Sequence, residues 1–289
     1  MKANLYALAA IALWASLSAL GVSLKHIPPF LLTGIALMIG SALAWPFVIK
    51  DRRQWQVAPR MLALGVCTLF GFHFLLFIAL RMAPAVEVNL VNYLWPLFIV
   101  VLAPLYLPGV ALRRIHIAAA ITGFVGAAIA ILGARDGSVA VSSAASTSPV
   151  WGYLLALGSA LIWANYSLQT KRAEVNGKSF PTAAIGLFGL VSGALSLACH
   201  FALEPSVSLS GRDWLLLAVM GLGPLGAAFF LWDKALKLGD ARQIGILSYL
   251  TPLASTVLLM VVTNRALSWN IALAATLIIG AALVGTRRG

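Results

Sequence analysis

The amino-acid sequence predicts an all-α polytopic membrane protein with ten transmembrane helices, arranged as two five-helix repeats of inverted orientation. Three observations predict it: an extreme apolar composition, ten apolar runs of membrane-spanning length, and self-similarity between the two halves of the chain. Hydrophobic residues make up 61% of the 289 residues and charged residues only 10%, with a mean hydropathy of +0.97. Soluble domains contain ~45–50% apolar and ~25% charged residues, so this composition excludes a water-exposed fold.

The apolar runs are long enough for a helix to cross a ~30 Å hydrocarbon core at about 1.5 Å per residue. Membrane β-barrels would instead show alternating segments of ~10 residues, and the sequence lacks that pattern. The predicted spans are residues 3–24, 29–49, 61–80, 85–107 and 115–133 in the first half, and 151–170, 180–203, 214–232, 241–262 and 269–286 in the second.

A stretch rich in Gly and Ser, residues 134–150, separates the two sets of spans. Such a composition predicts a flexible linker, here on the external side. The chain is therefore divided into a first five-helix repeat at residues 1–133, this linker, and a second five-helix repeat at residues 151–289. The first apolar run could be taken for a cleaved signal peptide, but it has a counterpart inside the chain, so we expect it to be retained.

The charged residues predict topology rather than a ligand. The net charge is +12, but nucleic-acid binding needs a basic face on a water-exposed fold, so no nucleic-acid partner is expected. With the amino terminus inside the cell, fifteen of the twenty basic residues fall in cytoplasmic segments and five fall outside. An excess of Lys and Arg marks cytoplasmic loops, so both termini are predicted to be cytoplasmic.

The two halves of the chain are related in sequence. Residues 79–97 align without gaps with residues 235–253, and seven of the nineteen positions are identical, including a shared Tyr-Leu-x-Pro-Leu core. Leu13-Trp14-Ala15 recurs as Ile162-Trp163-Ala164, and a third match joins the segments that begin at Ile117 and Ile271. Because each unit holds five helices, an odd number, the second copy must enter the membrane from the opposite side. Inverted repeats are typical of secondary transporters.

These features resemble EamA-type members of the drug/metabolite transporter superfamily. The resemblance rests on Trp14 and Trp163 in the first helix of each unit, Tyr-Leu-x-Pro in the fourth and glycine spacing in the fifth, and it covers nearly the whole chain. Asn92-Tyr93-Leu94-Trp95-Pro96 is similar to the fourth helix of a bacterial aromatic amino acid exporter in that superfamily. The resemblance implies a multi-pass exporter of amino acids or related metabolites in the bacterial inner membrane, working by alternating access.

Helical spacing places polar residues of the fourth span on one stripe. The stripe consists of Asn89, Asn92, Tyr93 and Pro96, and its repeat equivalent consists of Gly245, Ser248, Tyr249 and Pro252. Freed carbonyls and polar side chains are costly in lipid, so both stripes are predicted to face protein or a central cavity near the midplane. Each proline removes an amide donor, and we predict that Pro96 and Pro252 are hinges. In an alternative interpretation the prolines only shape helix packing.

Aromatic residues and one histidine complete the candidate site. Tryptophans at mid-depth could build a wall for a planar or apolar substrate, although they could also simply fill the core. His73 is an ionisable residue inside an apolar run and hence a functional candidate, or else a neutral imidazole bonded to a neighbouring helix. The predicted substrate-binding residues are Trp14, His73, Asn89, Asn92, Tyr93, Trp95, Trp163, Tyr166, Ser248 and Tyr249.

The leading hypothesis is an exporter of zwitterionic aromatic or large apolar amino acids. The alternatives are an exporter of other small metabolites or drugs, or a transporter of the nucleotide-sugar type. A cationic-drug antiporter would need a buried acid and a nucleotide-sugar transporter a basic residue at mid-depth, and the sequence predicts neither. An enzyme would need a convergent set of nucleophile, base or metal ligands. We therefore expect no enzymatic activity, metal or cofactor, and a monomer whose partners are the lipid bilayer and a small-molecule substrate.

Overall fold

The computed structural model describes residues 2–133, 149–262 and 269–285, and these residues form helices without any strand. The helices are α1 Lys2–Ser23, α2 Pro29–Lys50, α3 Pro59–Met82, α4 Ala85–Tyr106, α5 Arg114–Gly133, α6 Pro149–Val175, α7 Ala184–Leu203, α8 Gly211–Leu238, α9 Ala241–Leu247, α10 Leu250–Val262 and α11 Trp269–Gly285.

The helix surfaces are those of a membrane protein. Within the described ranges, seven helices are long and apolar enough to cross a membrane: α1 to α5, α7 and α8. Large apolar side chains stand on the outside of the helix bundle, with Ile49 82% and Phe201 81% exposed. Extended apolar surface of this kind fits lipid rather than water. The chain is therefore an all-helical, multi-pass membrane protein.

Local sequence signals explain where several helices begin. Pro29 and Pro59 occupy the first turns of α2 and α3, where a missing amide hydrogen is not needed for helical hydrogen bonding. α8 begins with a capping box, because the Asp213 amide donates to Ser210 Oγ at 3.2 Å while the Ser210 amide donates to Asp213 Oδ2 at 2.9 Å. These local signals set the residues at which α2, α3 and α8 begin.

Several helices of the bundle are irregular near their middles. α3 contains a π-helical segment at Cys67–Gly71 and α8 contains another at Gly223–Ala227, so the two segments are separated by the same 156 residues as the sequence repeat. α4 is interrupted at Tyr93 and Leu94, while Ser248 and Tyr249 separate α9 from α10. Such π-helical turns occur frequently at functional sites. The irregular backbone therefore indicates that the centre of the bundle is a candidate functional region.

The helices pack in pairs that join the two halves of the chain. The most extensive contacts are those of α5 with α11, α2 with α7, α1 with α8 and α3 with α6. Glycine permits the closest approach: a Cβ added at Gly40 of α2 would lie 2.7 Å from the Gly221 carbonyl oxygen and 2.9 Å from the Gly226 Cα. Small residues play this role between membrane helices, where lipid is as apolar as the side chains.

The structure adjusts several predicted boundaries. The span predicted to begin at Phe180 begins at Ala184, since a residue followed by proline is disfavoured in the helical conformation. α8 continues to Leu238 rather than ending at residue 232, so Asp233 lies inside the helix and is fully buried. α6 begins at Pro149, two residues before the predicted span, and the rest of the predicted linker, residues 134–148, lies outside the described residues.

Candidate functional site

A cavity of ≈ 730 Å³ lies between α1, α2, α3, α4, α6, α8 and α10, with one further lining residue from α5. Its volume falls within the ~300–1,000 Å³ of typical small-molecule sites. Gly21 and Lys25, both exposed, line it near the end of α1, and Trp163 lines it at the centre of the bundle. The cavity therefore leads from the surface at the α1–α2 connection to the middle of the bundle.

Five aromatic residues, which we term the aromatic floor, line the inner end of the cavity: Trp14, Phe72, Trp95, Trp163 and Phe229. Trp163 is central, because its ring centroid lies 5.7 Å from those of Trp14 and Phe229, 5.6 Å from that of Phe72 and 6.2 Å from that of Trp95. The Trp14 and Trp95 contacts are edge-to-face, a favourable geometry for aromatic pairs. The floor offers broad apolar surface to a planar ligand.

A buried layer seals the bundle beyond the aromatic floor. The ring of Trp232, which is fully buried, lies 5.2 Å from that of Trp14 and 5.5 Å from that of Trp95. Its indole Nε1–H donates to Ser167 Oγ at 3.2 Å, and Tyr106 Oη donates to Asn165 Oδ1 at 2.9 Å. These contacts join α8 and α4 to α6, so the cavity ends at the floor.

Polar side chains form the wall of the cavity above the floor. They are Ser18, Thr33, Asn89, Asn92, Thr251, Ser255 and Thr256. Ser18 Oγ is hydrogen-bonded to Ser255 Oγ, and Asn92 Nδ2 donates to Ser159 Oγ at 2.7 Å, which fixes the amide's orientation. Among the described residues that line the cavity, Lys25 is the one with a permanent charge. The wall can therefore hydrogen-bond a polar ligand while its charge remains at the open end.

His73 lines the cavity with a defined set of hydrogen-bonding roles. Its Nδ1 lies 2.6 Å from the Leu69 carbonyl oxygen. A carbonyl oxygen can only accept, so Nδ1 carries the hydrogen, and Nε2 of the neutral ring is an acceptor. The imidazole thus lines the cavity, and it is bonded to the backbone of its own helix rather than to a neighbouring helix, so that part of the alternative interpretation is wrong. A role of His73 in binding stays a prediction.

Seven of the ten predicted binding residues line the cavity and three do not. Those that line it are Trp14, His73, Asn89, Asn92, Tyr93, Trp95 and Trp163. Tyr166 is buried with its ring 6.0 Å from that of Trp163, Ser248 Oγ donates to its own helix at the Gly245 carbonyl, and Tyr249 packs 6.5 Å from Phe124. The structure thus places these three inside the packed helices.

The two predicted hinges are in equivalent backbone settings but have different surroundings. Pro96 follows the interruption of α4 at Tyr93 and Leu94, and Pro252 lies in the first turn of α10 after the break at Ser248 and Tyr249. Both prolines are buried, and only Pro252 lines the cavity. The helix breaks that the prolines predicted are thus present in both halves.

Several lining residues were not indicated by the sequence pattern. Lys25 was assigned only to topology, while Thr33 lies in an apolar run without a distinguishing signal. Two signals were available: Phe229 aligns with His73 at the 156-residue offset, and Ser255 lies one turn after Pro252 on the same helix face. The repeat alignment and the helical spacing together thus indicate half of this set.

Comparisons with known proteins agree with this architecture. The model of the EamA-like transporter family matches residues 1–132 and 150–286. The aromatic amino acid exporter YddG of Ancylobacter novellus is 40% identical, covering 99% of this chain and 97% of the relative, and that of Escherichia coli K12 is 28% identical over 100% and 99%. A solved crystal structure matches with a TM-score of 0.88 and 37% identity, covering 99% of this chain and 98% of the other. The family is one of transporters rather than enzymes. Because the family model matches nearly the whole chain, this protein belongs to the EamA-like transporter family.

Proposed function

We propose that this transporter exports aromatic or large apolar amino acids, and related metabolites, across the bacterial inner membrane by alternating access. The observation that carries the proposal is a ≈ 730 Å³ cavity that combines an aromatic floor with a hydrogen-bonding wall. A zwitterionic amino acid has the same two parts, an apolar side chain and a polar backbone. Exporters of aromatic amino acids with 40% and 28% identity over the full chain support the same substrate class.

The chemistry of the cavity supports one orientation of the substrate. The side chain packs on the aromatic floor, with Trp163 at its centre, where stacking adds about 0.5–1.5 kcal/mol beyond area burial. Nε2 of His73 accepts a hydrogen bond from the ammonium group. Lys25 at the open end attracts the carboxylate. This arrangement uses the aromatic, acceptor and cationic groups of the cavity in a single pose.

The same cavity gives less support to the alternative substrates. Its described lining residues include no Asp or Glu, so a cationic drug would lack a counter-ion. Its permanent cation, Lys25, is exposed near the surface rather than at mid-depth, so the phosphates of a nucleotide sugar would lack a buried partner. A neutral or zwitterionic substrate needs neither group.

The architecture behind alternating access is proposed to be ten transmembrane helices in two inverted repeats, with α9 and α10 as one broken span. The helix pairs support this, since exchanging the halves converts the α1–α8 pair into α6–α3 and leaves α2–α7 and α5–α11 unchanged. Two cation–π contacts are also equivalent: Arg81 lies 5.8 Å from the Phe30 centroid, and Lys237 lies 4.2 Å from that of Phe180. Arg81 and Lys237 are 156 residues apart.

Inverted orientation also explains why three predicted site residues lie off the cavity. Each is the repeat equivalent of a residue that lines it: Tyr166 of Leu17, Ser248 of Asn92, and Tyr249 of Tyr93. Equivalent positions on oppositely directed helices lie at opposite depths in the membrane. A cavity open to one side therefore uses one member of each pair, and the other member would line the cavity when it opens to the opposite side. In this mechanism Pro96 and Pro252 are the paired hinges at the helix breaks.

The distribution of basic residues supports an orientation with both termini in the cytoplasm and the cavity open to the outside. Labels introduced at Lys2, Arg53 and Arg288 are expected to react only from the cytoplasm, and labels in residues 134–150 only from outside, because cytoplasmic segments hold fifteen of the twenty basic residues. The measurement is sided labelling of single cysteines in intact cells. Labelling of Arg53 and the linker positions from the same side would contradict the ten-span topology.

The proposed function is tested by counterflow in vesicles reconstituted with purified protein. Vesicles loaded with phenylalanine, tryptophan or leucine are expected to accumulate the labelled amino acid, whereas lysine, a cationic dye and a nucleotide sugar should not exchange. Repeating each assay with and without a pH gradient determines proton coupling. Exchange of the dye or nucleotide sugar without exchange of amino acids would overturn the proposal.

Lys25→Met is expected to raise the KM for phenylalanine about five-fold, because an exposed pair of unit charges ~4 Å apart contributes about 1 kcal/mol. Lys25→Glu should weaken phenylalanine binding further and admit lysine. Arg212→Met is the matched control, since Arg212 is a basic residue of the same predicted side that does not line the cavity. An unchanged KM in both Lys25 variants would exclude Lys25 from carboxylate recognition.

A further inference from the structure

Trp14 and Trp163 occupy equivalent positions in the two repeats but differ in hydrogen bonding. The Trp14 Nε1–H donates to the Pro224 carbonyl oxygen at 3.1 Å. The Trp163 Nε1 is buried and has no hydrogen-bond partner among the described residues. A buried donor without a partner is a source of instability, and native proteins rarely retain one without a reason.

The carbonyl that Trp14 binds lies in a π-helical segment. Pro224 is the second residue of Gly223–Ala227, and the equivalent residue of the first repeat is Thr68, the second residue of Cys67–Gly71. Each tryptophan lies beside the segment of the opposite half. A Cβ added at Gly223 would lie 3.7 Å from Leu13, the residue before Trp14.

The other tryptophan also lies beside a π-helical segment, although its neighbour contacts the opposite end of that segment. A Cβ added at Gly71 would lie 3.7 Å from Cδ1 of Ile162, the residue before Trp163. The phenyl ring of Phe72, which follows this π-helical segment, lies 5.6 Å from the ring of Trp163. Trp163 therefore lies beside the π-helical segment that contains Thr68, as Trp14 lies beside the one that contains Pro224, but without a hydrogen bond.

The backbone of the two segments differs at the same point. At the end of the α3 segment the Phe72 amide donates to the Thr68 carbonyl oxygen. At the equivalent place in α8 the Ala228 amide donates to the Gly223 carbonyl oxygen, one residue earlier, and the Pro224 carbonyl accepts from Trp14. The indole bond thus accompanies a shift of the helical hydrogen bond by one residue.

We propose that Trp14 and Trp163 are positioning residues that exchange hydrogen-bonding roles during transport. In the state described here, Trp14 holds the α8 segment through Pro224 and Trp163 is unpaired. In the opposite state, the Phe72 amide bonds to the Cys67 carbonyl, the Thr68 carbonyl accepts the Trp163 Nε1–H, and Trp14 is released. The proposal rests on the inverted-repeat mechanism proposed above, and it assigns each state one tryptophan bond that the other state lacks.

The test measures which side of the protein is open in Trp14→Phe and Trp163→Phe, which retain an aromatic ring but lose the N–H. Two reporters are used in a background without Cys67 and Cys199. Gly21→Cys lies at the open end, where nothing stands within 4 Å of an added Cβ. Its repeat equivalent, Thr170→Cys, is buried in this state and would become accessible when the opposite side opens.

Trp14→Phe is expected to lower the labelling of Gly21→Cys and raise that of Thr170→Cys, and Trp163→Phe should do the reverse. The loss of one neutral hydrogen bond corresponds to a shift of about five-fold in the ratio of the two states. Trp269→Phe, at an exposed tryptophan, is the control for the smaller ring. If the labelling ratio of the two reporters shifts in the same direction in both variants, or in neither, the proposed exchange of hydrogen-bonding roles is overturned.

A second measurement needs no substitution at the site. In protein labelled with ¹⁵N-tryptophan, the indole proton of Trp14 should resonate at lower field than that of Trp163, because only the former is hydrogen-bonded. Equal chemical shifts and equal rates of hydrogen exchange with solvent for the two indole protons would contradict the proposed exchange of hydrogen-bonding roles. This conclusion would hold even if the phenylalanine variants do not fold. Neither the cysteine labelling nor the indole proton shift uses substrate. If these measurements support the exchange of hydrogen-bonding roles while the counterflow assay fails, only the proposed amino acid specificity is rejected.

Discussion

Asp233→Ala is expected to destabilise the protein more than any other single polar substitution in α8. The carboxylate is fully buried, and its Oδ2 accepts hydrogen bonds from Lys237 Nζ and Thr182 Oγ1, each at 2.7 Å. Lys237 also donates to the Phe180 carbonyl at 2.7 Å, which ties α8 to the segment before α7. Removing one partner of a buried ion pair leaves the other charge uncompensated and costs about 3–5 kcal/mol.

The measurement is the unfolding temperature of purified Asp233→Ala in detergent. The double variant Asp233→Asn/Lys237→Met should recover much of the loss, because it leaves no unpaired charge. Arg81→Met, the repeat counterpart of a change at Lys237, is expected to have a smaller effect, since the Arg81 side chain is 45% exposed. An Asp233→Ala protein as stable as wild type would show that the buried pair does not hold α7 and α8 together.

Gly40→Leu is expected to prevent normal assembly of α2 against α8. An added Cβ would lie 2.7 Å from the Gly221 carbonyl oxygen, and 2.9 Å from the Leu225 carbonyl oxygen and the Gly226 Cα. These neighbours are backbone atoms, which cannot move aside as a side chain can. Overpacking costs about 1–3 kcal/mol even where side chains can adjust, so a loss at or above the upper end is expected.

The yield of monodisperse Gly40→Leu protein and its unfolding temperature provide the measurement. Gly280→Ala is the matched control, because nothing lies within 4 Å of a Cβ added there. The control should be neutral or slightly stabilising, since alanine is favoured over glycine in helices by roughly 1 kcal/mol. Wild-type stability in Gly40→Leu would mean that α2 and α8 can separate at this crossing without loss.

The apolar runs and the repeat alignment predicted much of the fold because lipid imposes simple requirements. Each span must be long and apolar, and each buried backbone group must be paired, so hydropathy located most helices to within about six residues. The run at residues 241–262 instead forms two helices, α9 and α10. The mid-depth position of Trp14, Trp95 and Trp163 likewise indicated the cavity. These properties depend on local composition and depth.

Other features depend on tertiary packing, which periodicity does not encode. Thr33 faces the cavity because α2 lies against α7 and α8 with that face inward, and Tyr249 is buried because α5 packs over it. In the π-helical segment of α8, the indole of Trp14 binds the Pro224 carbonyl, which a helix amide would otherwise use. Glycine and proline at positions 223 and 224 favour a bend in a helix, but their presence does not predict a hydrogen bond from another helix.

The depth of the cavity has an electrical consequence. In the proposed orientation, solvent that reaches the aromatic floor carries the external potential with it, so most of the membrane voltage would fall across the layer between Trp163 and the cytoplasmic helix ends. Moving one elementary charge through 100 mV changes the free energy by about 2.3 kcal/mol. In the proposed direction of transport, a zwitterion has no net charge and would leave the cell without this work, whereas a cation would have to leave against an inside-negative voltage. The cavity's cation, Lys25, stands above the floor at the open end, so a change of access at the floor need not carry it across that voltage.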